Sequence, residues 1–130
     1  MEGIRMAKVD ITAGKYVDYL KKVTAKIASE KDYITELDAA TGDGDHWANM
    51  NTGFQKIVDS AEELKSLSYA ELFKKLGMIM MSTIGGSSGA LYGSGYIGAA
   101  KAIGARTNLD IRALNDVLAA MLDGICKRGN

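Results

Sequence analysis

Proline is absent from this chain of 130 residues, and cysteine is almost absent, with Cys126 alone. Without proline, no ring interrupts a helix, so long helices are permitted throughout. One cysteine excludes an internal disulfide, and we therefore expect a protein of the reducing cytoplasm. Cys126 lies in an apolar helical stretch with no histidine close to it in sequence, which predicts a packing residue and not a nucleophile.

A charge excess of either sign and long apolar runs are lacking as well. Sixteen basic residues balance sixteen acidic ones, so no global field favours nucleic acid or an anionic membrane. No window approaches the roughly 18 apolar residues of a membrane span, and the N-terminal segment lacks the apolar region of a signal peptide. We expect a soluble protein with no nucleic-acid or membrane partner, folded as one domain over residues 1–130.

Apolar residues recur at helical spacing along most of the chain. They predict helices over residues 11–29, from about 48 to 64, from 69 to about 83, and from 111 to 125. Ser68 and Glu71 form a capping-box pattern, and Thr107 or Asn108 is expected to cap the last helix. A short turn at 30–36 should precede an acidic loop at 37–46. Alternating strand patterns are missing, so we expect an all-α fold of about five helices.

The most informative segment reads D-A-A-T-G-D-G-D-H-W-A-N-M, residues 38–50. Asp43 and Asp45 should point to the same side of an extended chain, because side chains alternate along such a backbone. Asp38 can turn back through residues 39–42 to meet them. Converging carboxylates suit Mg²⁺, which prefers oxygen ligands and often takes substrate phosphates as well. The alternative is an exposed turn whose aspartate caps the next helix. An EF-hand is a poor match, because the terminal glutamate is missing.

Two helix starts are candidate phosphate sites. His46 and Asn49 are three residues apart in the first turn of a predicted helix, whose free N–H groups favour anions. The segment Gly85-Gly86-Ser87-Ser88-Gly89 opens another helix, and its hydroxyl groups can donate to phosphate oxygens. Each feature has a structural alternative, since a lone histidine is more often structural and such a loop also serves as a tight helix connection.

Residues 93–98 satisfy the pattern G-x-G-x-x-G literally. The dinucleotide-binding fingerprint needs a preceding strand and a βαβ unit, whereas a helical pattern precedes these glycines. We expect them to let two helices pack closely. No P-loop pattern is present.

Taken together, these motifs resemble the nucleotide-binding L subunit of dihydroxyacetone kinases. The resemblance rests on Asp38-x4-Asp43-Gly44-Asp45-His46-x2-Asn49-Met50-Asn51-x-Gly53 and on Gly85-Gly86-Ser87-Ser88-Gly89-x-Leu91-Tyr92-Gly93. It runs in matching order from about residue 10 to the C-terminus. It implies a barrel of antiparallel amphipathic helices, with ADP or ATP bound at one end through two Mg²⁺ ions.

The resemblance also implies roles and partners. The implied metal ligands are Asp38, Asp43 and Asp45. The implied nucleotide contacts are His46, Asn49, Ser87 and Ser88. In this family a phosphoryl group passes to dihydroxyacetone, which a separate K subunit holds, and in phosphotransferase-linked versions an M subunit rephosphorylates the bound ADP. Such a transfer needs positioning and charge neutralisation more than a protein nucleophile, and we expect none here.

The chain departs from the family pattern at three points. Trp47 stands where the family usually has glycine, and the indole is expected to crowd the phosphates or to stack over a ligand. Ala90 replaces a common proline. The family also continues beyond Asn130, with further helices and residues that cap the adenine. We therefore expect an incomplete barrel, weak binding of Mg²⁺-ADP, and an uncovered apolar face that leads to dimerisation or a rearranged helix order.

Two other functions stay open at this point. The chain would also fit a non-catalytic helical interaction or regulatory module that retains the metal loop. A related kinase for another small substrate would share the same loop.

Overall fold

The computed structural model describes residues 8–129, which form seven helices and one short antiparallel strand pair. The elements in chain order are β1 (Ile11–Thr12), α1 (Ala13–Ser29), α2 (Lys31–Ala39), α3 (His46–Asp59), α4 (Ala61–Lys65), α5 (Tyr69–Thr83), α6 (Gly86–Ile103), β2 (Asn108–Leu109) and α7 (Ile111–Gly129). The predicted domain of residues 1–130 also includes seven N-terminal residues and Asn130, which lie outside the described range.

The predicted all-α class is confirmed, and the predicted count of about five helices is wrong. The segment expected to be a turn, residues 30–36, forms part of α2. Its sequence shows no apolar stripe at helical spacing, because none of the α2 residues is buried. The helix expected over residues 48–64 starts earlier, at His46, and is divided at Ser60 into α3 and α4. The Ser60 N–H bonds to carbonyl groups of the last α3 turn, which ends that helix.

Side-chain caps begin helices α5 and α7. The cap of α5 is the predicted residue, and the cap of α7 is a different one. The Ser68 hydroxyl accepts from the Glu71 N–H at 3.3 Å and donates to the Glu71 carboxylate at 2.9 Å, which confirms the cap of α5. The predicted cap of α7 is wrong, because Asn108 pairs with Thr12 between β2 and β1. Asp110 caps α7 instead, accepting from the Ala113 N–H at 2.8 Å.

Helices α5, α6 and α7 form two consecutive antiparallel hairpins, and glycines let their backbones approach closely. A Cβ atom at Gly77 would lie 3.0 Å from the Gly93 carbonyl oxygen. One at Gly98 would lie 2.7 Å from the Ala120 carbonyl oxygen. The expectation that residues 93–98 serve helix packing is therefore confirmed, and these residues lie inside α6 with no strand before them.

An aromatic cluster joins α1 to this hairpin layer. The Tyr16 and Tyr96 hydroxyl groups share a hydrogen bond of 2.6 Å, and the Tyr16 and Phe73 rings meet edge to face at 5.3 Å. Burial, reinforced for Tyr16 by Tyr96, raises the pKa of both tyrosines, so they remain neutral at physiological pH. This hydrogen bond links α1 to α6.

Part of the apolar surface of α7 is uncovered. Ile111, Leu118 and Leu122 are 64%, 56% and 63% exposed, although the same helix buries Ala113 and Val117. Cys126 is exposed too, so its predicted packing role is wrong. Among the helices of residues 8–129, none combines the length and apolar character needed to cross a membrane.

Candidate metal and phosphate site

Three aspartates converge where α2 ends and α3 begins. Asp38 lies in the last turn of α2, and Asp43 and Asp45 lie in the connection to α3. One carboxylate oxygen from each falls within 4.8 Å of the others. Asp38 is half-buried, and the other two are exposed. The predicted convergence is therefore observed, and it places three negative charges at one point of the surface.

Asp38 turns back toward the other two aspartates over residues 39–42, as expected, whereas the extended backbone predicted between Asp43 and Asp45 is wrong, because Gly44 has a positive φ. The Thr41 and Gly42 N–H groups donate to the Asp38 carbonyl oxygen, at 3.2 and 2.6 Å. A Cβ atom at Gly42 would lie 2.7 Å from Asp38 Oδ1, so only glycine leaves room for this carboxylate. Gly44 has φ of +78°, a conformation that favours glycine.

Asp38 also caps α3 across eight residues of sequence. Its Oδ2 accepts from the His46 N–H at 3.1 Å. Asp45, the residue directly before α3, makes no side-chain cap. The sequence also allowed an aspartate that only caps the next helix. Asp38 does cap α3, whereas Asp43 and Asp45 have no capping role. A capping bond uses one lone pair of Asp38, so its carboxylate can still bind a cation.

The cluster is electrostatically unfavourable without a cation. A hydrogen bond with Asp43, reduced hydration, and repulsion from Asp43 and Asp38 raise the pKa of Asp45, which Asn49 partly opposes. The pKa of Asp43 is lowered, because its carboxylate accepts from the Asp45 side chain and backbone. As the pH falls, Asp45 therefore takes up a proton before Asp43 does.

The glycine-rich segment meets this cluster through α6. Helix α6 begins at Gly86, within the glycine-rich segment. Ser87 and Ser88 therefore lie in its first turn. Ser88 Oγ is 3.4 Å from His46 Nδ1. A Cβ atom at Gly85 would lie 3.0 Å from the Asn49 amide. Ser87 is exposed and makes no hydrogen bond to the acidic segment within residues 8–129.

Two further glycines permit this meeting. A Cβ atom at Gly53 would clash with the Ile84 side chain and lie 3.2 Å from Thr83 Oγ1, at the end of α5. A Cβ atom at Gly89 would clash with the Ile84 carbonyl oxygen and lie 2.8 Å from that of Met80. Gly53 follows Asn49 by one helical turn, a spacing that signals close approach on the same face as the site.

The expectation that Trp47 crowds a ligand is wrong. Its indole N–H donates to the Ile27 carbonyl oxygen in α1 at 2.8 Å. The Lys31 ammonium group lies 5.1 Å from the centre of the indole ring. Neighbouring residues in a helix point about 100° apart, so Trp47 faces α1 and α2 while His46 faces Ser88.

The residues present fit a hard divalent cation with bound phosphate. All three donors are carboxylates, the ligand type that Mg²⁺ prefers. The starts of α3 and α6 meet beside them, and neither residue that precedes these helices caps them with its side chain. Free N–H groups at helix starts attract phosphate. The geometry therefore offers cation ligands and phosphate donors in one place.

Fold and site together define an all-α domain with an acidic cluster between two helix starts. Residues 40–130 match the DAK2 domain, and the chain belongs to that family. The resemblance to the L subunit of dihydroxyacetone kinases is thereby confirmed.

Bacterial and mammalian relatives share this domain. The chain is 36% identical over 119 residues to the ADP-binding subunit of the PTS-dependent dihydroxyacetone kinase of Lactococcus lactis, covering 92% of this chain and 59% of that protein. It is 33% identical over 121 residues to the ADP-binding subunit of the PEP-dependent enzyme of Escherichia coli, covering 93% and 58%. It is 32% identical over 111 residues to human triokinase/FMN cyclase, covering 85% and 19%. The chain thus spans somewhat more than half the length of these bacterial relatives.

Proposed function

We propose that this chain binds ADP or ATP through Mg²⁺ and relays a phosphoryl group to dihydroxyacetone held by a partner K subunit. The observation that carries the proposal is the carboxylate cluster, with oxygens within 4.8 Å, beside the starts of α3 and α6. The names of the bacterial relatives support it, since they are called ADP-binding subunits of dihydroxyacetone kinases.

Each side chain has a distinct task in this proposal. Asp38, Asp43 and Asp45 hold two Mg²⁺ ions, which neutralise phosphate charge when bound. His46 and Asn49 contact the phosphates from the first turn of α3. The hydroxyl groups of Ser87 and Ser88 and the free N–H groups of α6 donate to them from the opposite side. No protein nucleophile is required, because phosphoryl transfer depends on positioning and charge neutralisation.

The proposed partners follow from the same relatives. The Lactococcus protein is called PTS-dependent and the Escherichia protein PEP-dependent. We therefore propose a K subunit that holds the acceptor dihydroxyacetone, an M subunit as donor to bound ADP, and a cytoplasmic location for all three.

Titration calorimetry with ADP and Mg²⁺ tests the binding step. We expect saturable binding that requires Mg²⁺, with Kd of the order of 1 mM, because the described residues hold only the phosphate end of the nucleotide. EDTA should abolish the heat, and AMP should bind more weakly than ADP because it lacks the second phosphate. No binding by the folded protein at several millimolar Mg²⁺-ADP would favour the non-catalytic interaction or regulatory module. Tight, micromolar binding would contradict the expectation that the site is incomplete.

A coupled assay with K and M subunits tests the transfer step. Phosphorylation of dihydroxyacetone that depends on this chain would support the proposal. Nucleotide binding without transfer to dihydroxyacetone would favour the related kinase for another small substrate.

We also propose that the uncovered stripe of α7 pairs with a second copy of this chain. Ile111, Leu118 and Leu122 are exposed at intervals of seven and four residues, close to the spacing of a coiled-coil seam. Arg112 and Asp123 are exposed beside the stripe, near its opposite ends. In an antiparallel pair, the Arg112 of each copy would lie beside the Asp123 of the other, where it would join the ion pair of Asp123 with Lys127, whose charged atoms are 3.0 Å apart.

Size-exclusion chromatography with light scattering tests the dimer. We expect a dimer at about 100 μM that the double substitution Leu118→Gln and Leu122→Gln converts to a monomer, since burial of these side chains drives the pairing. The control is Tyr33→Gln on α2, a residue that is 60% exposed. A wild-type protein that stays monomeric at several hundred micromolar, or an unchanged dimer in the double variant, would count against the pairing.

A further inference from the structure

Trp47 joins the ends of three helices next to the acidic cluster. It is the second residue of α3, and its indole N–H donates to the Ile27 carbonyl oxygen in the last turn of α1. Its ring also lies under the ammonium group of Lys31, the first residue of α2, at 5.1 Å. One side chain therefore links the end of α1, the start of α2 and the start of α3.

Helix α2 depends on such links because it has no core of its own. None of its nine residues is buried, and Tyr33 and Leu37 are largely exposed. Yet α2 carries Asp38, the half-buried member of the carboxylate cluster. The position of that carboxylate is consequently determined by a small number of contacts and not by burial of a helix face.

Two adjacent residues of α3 hold the two ends of α2. The His46 N–H binds the Asp38 carboxylate in the last turn of α2. The Trp47 ring contacts Lys31 at its first residue. Seven residues separate Lys31 from Asp38, which corresponds to about 10 Å of helix. Contacts at both ends fix the rotation and the axial position of α2 relative to α3, whereas either contact alone leaves one of them free.

We propose that Trp47 is a positioning residue that holds α2, and with it Asp38, in place before a cation binds. The inference rests on the proposed function in one respect, because its test by Mg²⁺ titration requires that the carboxylate cluster binds the ion. Trp47 does not touch the cation position, because its indole faces α1 and Lys31 on another side of α3. It acts through Asp38, in the way that residues around a metal site orient the ligands.

Titration with Mg²⁺ alone provides the first test, using Trp47→Ala, Trp47→Phe and Lys31→Met. We expect affinity about 10- to 30-fold weaker in Trp47→Ala, in the range found when groups that orient metal ligands are removed. Trp47→Phe keeps a ring near Lys31 and loses the N–H, and we expect a smaller loss of about 3-fold. Tyr33→Ala is the matched control, because it removes from α2 an aromatic ring that is 60% exposed.

Amide hydrogen exchange in metal-free protein provides a readout that does not depend on the cation. We expect residues 31–39 to exchange about 10-fold faster in Trp47→Ala, with α5 and α6 unchanged, because α2 has no buried residue and loses its contact at Lys31. A purely structural role would lower the protection of the whole domain evenly, and that result would overturn the inference.

Unchanged exchange of α2 and unchanged affinity in all three variants would overturn it as well. If the wild-type protein binds no Mg²⁺, the proposed function fails, whereas faster exchange confined to α2 would still support the positioning role. Trp47→Phe and Lys31→Met keep both tests available if Trp47→Ala does not fold.

Discussion

Substitution of Asp43 by alanine is expected to weaken Mg²⁺-dependent binding of ADP by about 100-fold or more. Asp43 is exposed, and its carboxylate is one of three whose oxygens fall within 4.8 Å. Removal of a group that merely orients a metal ligand typically costs 10- to 100-fold in affinity. Loss of a ligand itself should reach or exceed that range, because Mg²⁺ then exchanges a charged oxygen for water.

The same substitution should leave the domain as stable as before. Asp43 caps no helix and packs against no core residue, and its removal relieves repulsion in the cluster. Asp45→Asn tests the negative charge alone, since the amide keeps the size of the side chain and removes its charge. Asp59→Ala is the matched control, because Asp59 is an exposed aspartate at the opposite end of α3.

Calorimetric titration combined with thermal unfolding distinguishes the outcomes. A large loss of affinity in Asp43→Ala and Asp45→Asn, with wild-type affinity in Asp59→Ala and unchanged melting temperatures, is the expected pattern. Wild-type affinity in Asp43→Ala would refute its assignment as a metal ligand. An equal loss in Asp59→Ala would show that net charge, and not the cluster, determines binding.

Gly89→Ala is expected to lower the free energy of unfolding by about 3 kcal/mol, the upper range for an overpacked site. The new methyl group would meet two carbonyl oxygens, those of Ile84 and Met80, the second at 2.8 Å. Backbone atoms cannot rotate away as a side chain can. The strain must therefore move the first turn of α6, which carries Ser88 toward His46, so nucleotide binding should weaken as well.

Two further glycine substitutions show whether the effect comes from contact. In Gly14→Ala, the nearest atom is Thr12 Oγ1 at 4.0 Å, in the first turn of α1. We expect that change to stabilise the protein by about 0.5–1 kcal/mol, because alanine favours helix more than glycine does. Gly85→Ala meets only the Asn49 amide at 3.0 Å, a side chain that can move. The Gly85→Ala protein should have normal stability, and only its binding of nucleotide should weaken.

Urea denaturation of the three variants, followed by titration with Mg²⁺-ADP, measures both effects. A Gly89→Ala protein as stable as wild type would show that the α5–α6 connection is more adaptable than its contacts indicate. Equal destabilisation by Gly14→Ala and Gly89→Ala would mean that the close backbone contact at Gly89 does not determine the change.

Helix periodicity predicted most of the fold, and its failures have local causes. It located α1, α3, α5 and α7 because each places apolar residues on one face against the core. It missed α2, whose residues are all at least partly exposed, because a helix without a buried face has no stripe. The cap of α7 was misplaced because β2 takes Asn108 into a strand pair. That pairing depends on residues about a hundred positions earlier.

The chemistry of the acidic segment was readable from residue types, whereas its shape was not. Asp38, Asp43 and Asp45 do converge, yet the turn at Gly44 replaces the predicted extended backbone. Trp47 was expected to face a ligand and instead contacts Ile27. A helix start sends adjacent side chains in different directions, so the position next to a site residue need not belong to the site.

By itself the sequence determined the helical class and the family, and it predicted that three carboxylates converge. The class follows from local periodicity, the family from the resemblance of two motifs, and the convergence from the spacing of the aspartates, all of which are properties of short segments. Only the tertiary structure decided that His46 lies beside Ser88, 42 residues away, and that Trp47 contacts Ile27 of α1 and Lys31 of α2. Such neighbours arise where glycines such as Gly53 and Gly85 let helices approach, and that depends on how the whole core packs.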